Sequence, residues 1–198
     1  MEGQYLAPGA DPVPCSAPVF RLAADVIERV ASTEAPQPVL AVVLMRDRSV
    51  PTDATFVMVA DRVSDPGNAG TIVRSAEAAG AHAVVFTPGS VDVYNPKVVR
   101  STAGSLFRVP VCVADLHELR GRGMTLLGTS SHRGAPHTAT DLTTPVAVVV
   151  GNEAHGVPDN APVDGWVTIR HHGAAESLNV AMAATVLAFE VARQRGDG

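Results

Sequence analysis

Hydrophobic and polar positions change rhythm near residue 54. Beyond it, short apolar runs alternate with stretches of helical periodicity. The runs predict strands at 55–60, 83–86, 110–113, 125–129, 146–150 and 166–169. Helices are expected between them, at 69–79, 95–101, 116–120 and 178–193. The run Val146-Ala-Val-Val-Val150 has no polar alternation, which is the mark of a parallel strand covered on both faces. Strands alternating with helices over this length make an α/β domain with a mostly parallel sheet flanked by helices. Before residue 46 the pattern is weaker. Four prolines fall in residues 1–18, which are expected to be irregular with one short strand. Apolar positions at helical spacing follow over 19–30 (Leu22, Val26, Ile27, Val30), and 39–45 reads as a buried strand. The polar stretch 46–53, broken by Pro51, is expected to be a linker. The division is therefore 1–45, linker 46–53 and 54–198.

Composition narrows the class. Of 198 residues, 46% are hydrophobic and 18% charged, which excludes a wholly disordered chain. No apolar run approaches the roughly 20 residues of a bilayer span, so no membrane partner is expected. The first residues lack the basic and apolar regions of a secretory signal, and Cys15 and Cys112 have no metal-type spacing. A reducing, cytoplasmic setting is the expectation. The net charge of −5 argues against a surface devoted to nucleic acid. Lys97 is the sole lysine beside 14 arginines, a coding bias that takes weight from arginine counts.

Three segments carry candidate chemistry. In the first, Asp61 to Gly80, a strand end leads through a Gly-containing loop into a helix, with Asn68 as candidate N-cap, Gly70 at a close approach and Arg74 one turn in. Open parallel sheets bind ligands at such carboxyl strand ends. An ordinary cap and a surface arginine would look the same. The dinucleotide fingerprint G-x-G-x-x-G and the P-loop pattern are both absent. The second, Gly151-Asn-Glu-Ala-His-Gly156, follows the most apolar strand. Glu153 and His155 alone supply too few ligands, so no metal is expected. A tight turn approaching a ligand, with Glu153 tying loops together, competes with a plain strand-to-helix turn. The third runs from Gly173 through Ser177-Leu-Asn179-Val180 into a helix rich in small residues. Ser177 or Asn179 could cap it, and no G-x-S-x-G elbow supports Ser177 as a hydrolase nucleophile.

In this order and spacing the three segments resemble the SpoU (TrmH) family of S-adenosylmethionine-dependent RNA 2′-O-ribose methyltransferases. The family's Asn-x-Gly-x-x-x-Arg is matched by Asn68-Ala-Gly70-Thr-Ile-Val-Arg74, its Gly-Asn-Glu-x-x-Gly by 151–156, and its Ser-Leu-Asn-Val by 177–180. One departure is Ile169-Arg170-His171 where the family has an Ile-Pro-Met-like stretch. The resemblance covers about 55–193. It implies an α/β domain with a C-terminal trefoil knot, which general topology would not suggest. Residues 1–45 resemble the second half of a small α/β substrate-binding domain found ahead of it.

The resemblance also implies the site. Asn68, Arg74, Glu153, Ser177 and Asn179 would be catalytic. Thr129, Gly151, Asn152, Gly156, Ile169, Leu178 and Asn179 would hold S-adenosylmethionine. The substrate would be RNA, with rRNA favoured over tRNA by the N-terminal segment. Arg74 would act either as a base or through its fixed charge; a guanidinium does not give up its proton readily, which favours the second. Separately, Lys97, Arg100 and Arg108 lie in a stretch without an acid and are the local candidates for phosphate contact. A homodimer through the last helix is expected, on the face Leu178, Ala181, Met182, Thr185 and Phe189. The competing class is a catalytically silent RNA-binding or ribosome-assembly protein with the same fold.

Overall fold

The computed structural model describes residues 1–31, 33–45 and 48–196, which form two compact units, Met1–Asp47 and Arg48–Gly198. In the first, β1 (Gly3–Leu6) lies between β2 (Val19–Arg21), parallel to it, and β3 (Val39–Val42), antiparallel. The helical spacing over 19–30 is only partly realised. Val19 and Phe20 take strand geometry, which suits β-branched and aromatic residues, and Phe20 stacks on Tyr5 with centroids 5.0 Å apart. Helix α1 (Val26–Val30) starts only after Asp25, whose φ of 68° turns the chain. Buried Gln4 holds the proline-rich loop: its Oε1 accepts from Val13 N–H at 2.8 Å and its Nε2 donates to Val13 O at 3.1 Å.

The second unit is a seven-stranded sheet in which every pairing is parallel. In chain order it contains β4 (Phe56–Ala60), α2 (Pro66–Ala78), β5 (Ala83–Phe86), α3 (Pro96–Ser101), β6 (Val111–Val113), α4 (Leu116–Arg120), β7 (Thr125–Thr129), β8 (Ala135–Pro136), β9 (Val146–Val150), β10 (Gly165–Thr168) and α5 (Val180–Gln194). The order across the sheet is β6-β5-β4-β9-β7-β10-β8. Every residue of β4, β5 and β9 is buried, as continuous apolar strands require. Alternate residues feed two cores. Phe56, Met58, Phe86 and Val148 face α2 and α5, while Val57, Val59, Val85 and Val149 face α4.

Two features were not visible in the pattern. The two-residue strand β8 extends the sheet, so that β10 sits between β7 and β8, two strands laid down before it. The stretch expected to be a linker is not free from residue 48 onward. Val50 is 4% exposed within the second unit's core, and Arg122 donates to its carbonyl at 2.9 Å. An apolar side chain here gains more from burial than a tether would from freedom. Residues 46 and 47 of that stretch lie outside the described residues.

The sheet fixes where chemistry can occur. From β4 the chain steps outward through β5 and β6, then returns across the sheet to β7 and β9 on the other side. The carboxyl ends of neighbouring β4 and β9 therefore flank a switch point, the position where loops diverge and leave a crevice.

Candidate active site

Each of the three motif segments leaves a strand end or enters a helix at this crevice. The loop after β4 leads into α2, whose N-cap is Asp65: its Oδ1 accepts from Asn68 N–H at 2.7 Å, with Pro66 at the first helical position. Asn68 was the expected cap. Because Asp65 does that work, the Asn68 amide is free to reach across the crevice. Gly70 is where α3 crosses α2, since a Cβ there would lie 1.8 Å from Ser101 Oγ.

After β9, residues 151–156 fold back on themselves, with Asn152 and Gly156 forming a bridge and Gly156 at φ 65°. A Cβ on Gly151 would lie 2.0 Å from the carbonyl carbon of Gly156, so the turn closes only with glycine there. Its product is the placement of Glu153. Ser64 N–H and Oγ–H donate to Oε2 at 3.2 and 3.1 Å; Asp65 N–H and Asn68 Nδ2 donate to Oε1 at 3.0 and 3.1 Å. Partial burial works to raise the Glu153 pKa, but the donors, led by Asp65 N–H and the Asn68 amide, outweigh it and hold the carboxyl at about 2. Asn152 adds a second tie, its Nδ2 donating to Arg62 O at 2.9 Å.

The third segment joins through Asn179. Its Oδ1 caps α5 by accepting from Ala181 and Met182 N–H at 2.9 and 3.3 Å, and its Nδ2 donates to Asn68 Oδ1 at 3.0 Å. One relay, Glu153–Asn68–Asn179, thus fastens all three motifs together. Arg74 and Ser177 stay exposed, and no described residue pairs with either.

A cavity of about 400 Å³ opens beside the relay, within the range of about 300–1,000 Å³ usual for small-molecule sites. Thr129, Gly151, Asn152, Gly156, Ile169 and Leu178 line it, together with Glu153 and Ser177. Asn68, Arg74, Asn179 and the stretch 95–108 do not. The pattern missed its apolar floor of Val150, Val167, Val180 and Leu187, and the loop Ser130–His132. Their signal was available, since all lie at or just beyond carboxyl strand ends or on the helix facing them.

The basic stretch reads differently in three dimensions. Arg108 Nε donates to Glu77 Oε1 at 2.9 Å, which holds that carboxyl below its ordinary range. The absence of acid was a property of the local sequence only; α2 supplies Glu77 as a partner for Arg108. Among the described residues no group of three or more His, Cys, Asp or Glu is placed to hold a metal ion, and no helix is long and apolar enough to cross a membrane.

Residues 55–189 match the model of the SpoU rRNA Methylase family. The chain belongs to the SpoU family. It is 38% identical over 180 residues to the 23S rRNA (guanosine(2553)-2′-O)-methyltransferase RlmP of Bacillus subtilis, covering 87% of this chain and 71% of that protein. It is 40% identical over 182 residues to a 23S rRNA (uridine(2479)-2′-O)-methyltransferase of Streptomyces viridochromogenes, covering 83% of this chain and 63% of the relative. Among solved structures, the SpoU methyltransferase AviRb of Streptomyces viridochromogenes in complex with the cofactor AdoMet superposes with a TM-score of 0.85 at 31% identity, covering 100% of this chain and 84% of that one. The mostly parallel seven-stranded sheet flanked by helices matches the fold of the solved SpoU methyltransferases.

Proposed function

We propose that this protein transfers a methyl group from S-adenosylmethionine to a ribose 2′-hydroxyl of RNA, ribosomal RNA being the substrate class that its relatives' names favour. The observation that carries this reading is the Glu153–Asn68–Asn179 relay, which fastens the three motifs at the rim of a cavity and leaves Arg74 and Ser177 uncommitted. A catalytically silent RNA binder would have no use for a small-molecule cavity fastened to all three motifs through Glu153.

The cavity suits the cofactor. Val150, Val167 and Val180 offer an apolar bed for an adenine ring. The backbone around Thr129, Gly151, Gly156, Ile169 and Leu178 offers hydrogen-bonding groups for its edges, with the Asn152 turn as a wall. Asp159 and Glu176, also in the lining, offer negative charge to a cationic ligand. S-adenosylmethionine, when bound, supplies an electrophilic methyl on a sulfonium. Arg74 presents a planar guanidinium fork. Its role is to hold a substrate phosphate and to stabilise the negative charge that builds on O2′ as the hydroxyl passes its proton to solvent water. Ser177 and Asn68 orient the ribose, and Glu153 keeps Asn68 in place.

Arg74 lies outside the cavity lining, on α2, which packs against α5 through a 2.6 Å hydrogen bond between the Ser75 and Thr185 hydroxyls. A two-fold pair built on α5 would complete the site. Of the face expected from periodicity, Ala181 is buried and Thr185 is taken by Ser75. The apolar face left exposed is Leu178, Met182, Val186 and Phe189. A homodimer through these residues, the family's threaded C-terminal segment with β10 inserted between β7 and β8, and a cytoplasmic setting complete the proposal. The test is methyl transfer from labelled S-adenosylmethionine to unmodified 23S rRNA in the presence of a chelator, with the product mapped for 2′-O-methylation. Absence of label on ribose, or a requirement for added metal, defeats it.

A further inference from the structure

A second hollow, of about 470 Å³, opens at the outer part of the sheet, between the loop after β7 and the chain after β10. Its lining is Ser131, His132, Arg133 and Gly134 on one side and Thr168 to His172 on the other. That set contains two guanidinium groups, three imidazoles, two hydroxyls and no carboxylate. We propose that this hollow is an anion site that seats a backbone phosphate of the RNA substrate, beside the cofactor cavity and distinct from it. The inference rests on the methyl-transfer reading above and extends it to a contact that none of the three motifs supplies.

Four observations converge. The loop is held rigidly: Ser130 N–H donates to Val167 O at 3.1 Å, β8 pairs with β10, and Gly134, at φ 105°, would bring a Cβ to 2.4 Å from Trp166 O. Arg133 is pre-positioned, its guanidinium carbon 3.5 Å from the Trp166 ring centroid. Arg133 Nη2 ion-pairs with Asp159 Oδ1 at 2.8 Å. Asp159 is 92% exposed, so water screens that ion pair. Arg170 and His172 are exposed and no described residue pairs with them, in contrast to Arg108 against Glu77. Finally, Ser131, His132, Ile169 and His171 line both the hollow and the cavity, so an anion seated here borders the place of methyl transfer. Planar guanidinium forks with flanking hydroxyls match a phosphodiester. The site falls on Arg170-His171, where this chain departs from the family's apolar stretch.

Arg170 and His172 line the hollow and not the cavity, so they separate the two sites. Binding of an unmodified 23S rRNA transcript is measured between 50 and 200 mM salt for the wild type, Arg170→Ala/His172→Ala and Arg170→Lys/His172→Lys. The alanine variant is expected to bind roughly tenfold more weakly, with the salt dependence of log affinity shallower by about 1 per lost phosphate contact. Its KM for RNA should rise with kcat changed less than about twofold, and calorimetric affinity for S-adenosylmethionine should stay as in the wild type. The lysine variant should restore the salt slope. Unchanged RNA affinity and slope in a variant whose parent methylates the transcript overturns this inference and leaves the proposed function standing. A fall in cofactor affinity with RNA affinity intact also overturns it, assigning the cluster to the cavity. A wild type that neither binds nor methylates the transcript overturns both.

Discussion

The loops after β4 and β9 and the loops after β7 and β10 stand side by side at the same edge of one sheet, yet they are built on opposite plans. In the first pair the side chains spend their polar groups on one another. Glu153 accepts from Ser64, Asp65 and Asn68, Asn68 accepts from Asn179, and Asn152 donates to the Arg62 carbonyl. In the second pair the backbone does the holding, through the β8–β10 pairing and the contact at Gly134, and the side chains of Arg170, His171 and His172 point to no described partner. A network closed on itself fixes geometry, which suits groups that must be placed against a reacting atom. A rigid backbone carrying an unpaired guanidinium and uncommitted imidazole groups suits capture of a flexible polyanion, where charge matters more than registry.

Substitutions can break this contrast. The largest effect is expected at Arg74, which is exposed on α2 and bound by no described residue. Arg74→Ala should lower kcat by about 10²–10³, in line with removal of a charge-stabilising donor, while calorimetric cofactor affinity stays near wild type. Arg74→Lys should also be poor, because a point charge does not reproduce a planar fork. Near wild-type turnover in either variant would remove Arg74 from the reaction.

Next in size are the two glycines that close the two loop pairs. Gly151→Ala places a methyl 2.0 Å from the Gly156 carbonyl carbon, and backbone must move. We expect cofactor affinity to fall by roughly 100-fold, about 2.7 kcal/mol, with a lowered melting temperature. Gly134→Ala meets Trp166 O at 2.4 Å from a φ of 105°. It should weaken RNA binding and spare cofactor binding. If both variants lost the same ligand, the two loop pairs would be one site.

Replacing Phe189 with Glu tests whether α5 is an interface. Phe189 is half exposed, so the monomer should still fold. Sedimentation equilibrium should move from about twice the chain mass toward the 20.5 kDa monomer, with transfer lost in proportion. A variant that is fully monomeric and fully active would separate the site from the dimer.

The smallest effect is a pH dependence. Glu153 is lowered in the folded state from 4.5 to about 2. Its contribution to stability is therefore complete above about pH 5 and is lost as pH falls through 4.5 toward 2. Glu190, held low chiefly by its hydrogen bond from Arg193, acts in the same window. Glu153→Gln should make the acid limb of a stability–pH curve shallower without abolishing it. Solvent exposure limits the difference at neutral pH to about 1 kcal/mol or less. An acid limb identical to wild type would show that the carboxylate is not anchored as described.

Much of this molecule was legible in its residues. The continuous apolar runs specified buried parallel strands, because only a sheet covered on both faces tolerates Val146 to Val150 without a polar position. Helix α4 was readable to the residue, since the Asp115–Glu118 capping box is a local device. The three motifs and their ligand side of the sheet followed from order and spacing. What needed the folded chain was every assignment that depends on a distant partner. Asp65 or Asn68 could each cap α2 by sequence, and Glu153, 85 positions away in the chain, decides which one is free. Arg108 looked uncommitted until α2 brought Glu77 to it. The stripe on α5 fitted a core and an interface equally, because a 3.6-residue period records that a face is apolar and not what covers it. Packing against α2 took Ala181 and Thr185 and left Met182 and Phe189. Placing β10 between β7 and β8 set Arg133 and Arg170, 37 positions apart, around one hollow. Local propensity and periodicity are written in neighbouring residues. Charge pairing, capping between rivals and the meeting of loops are settled only when strands find their order.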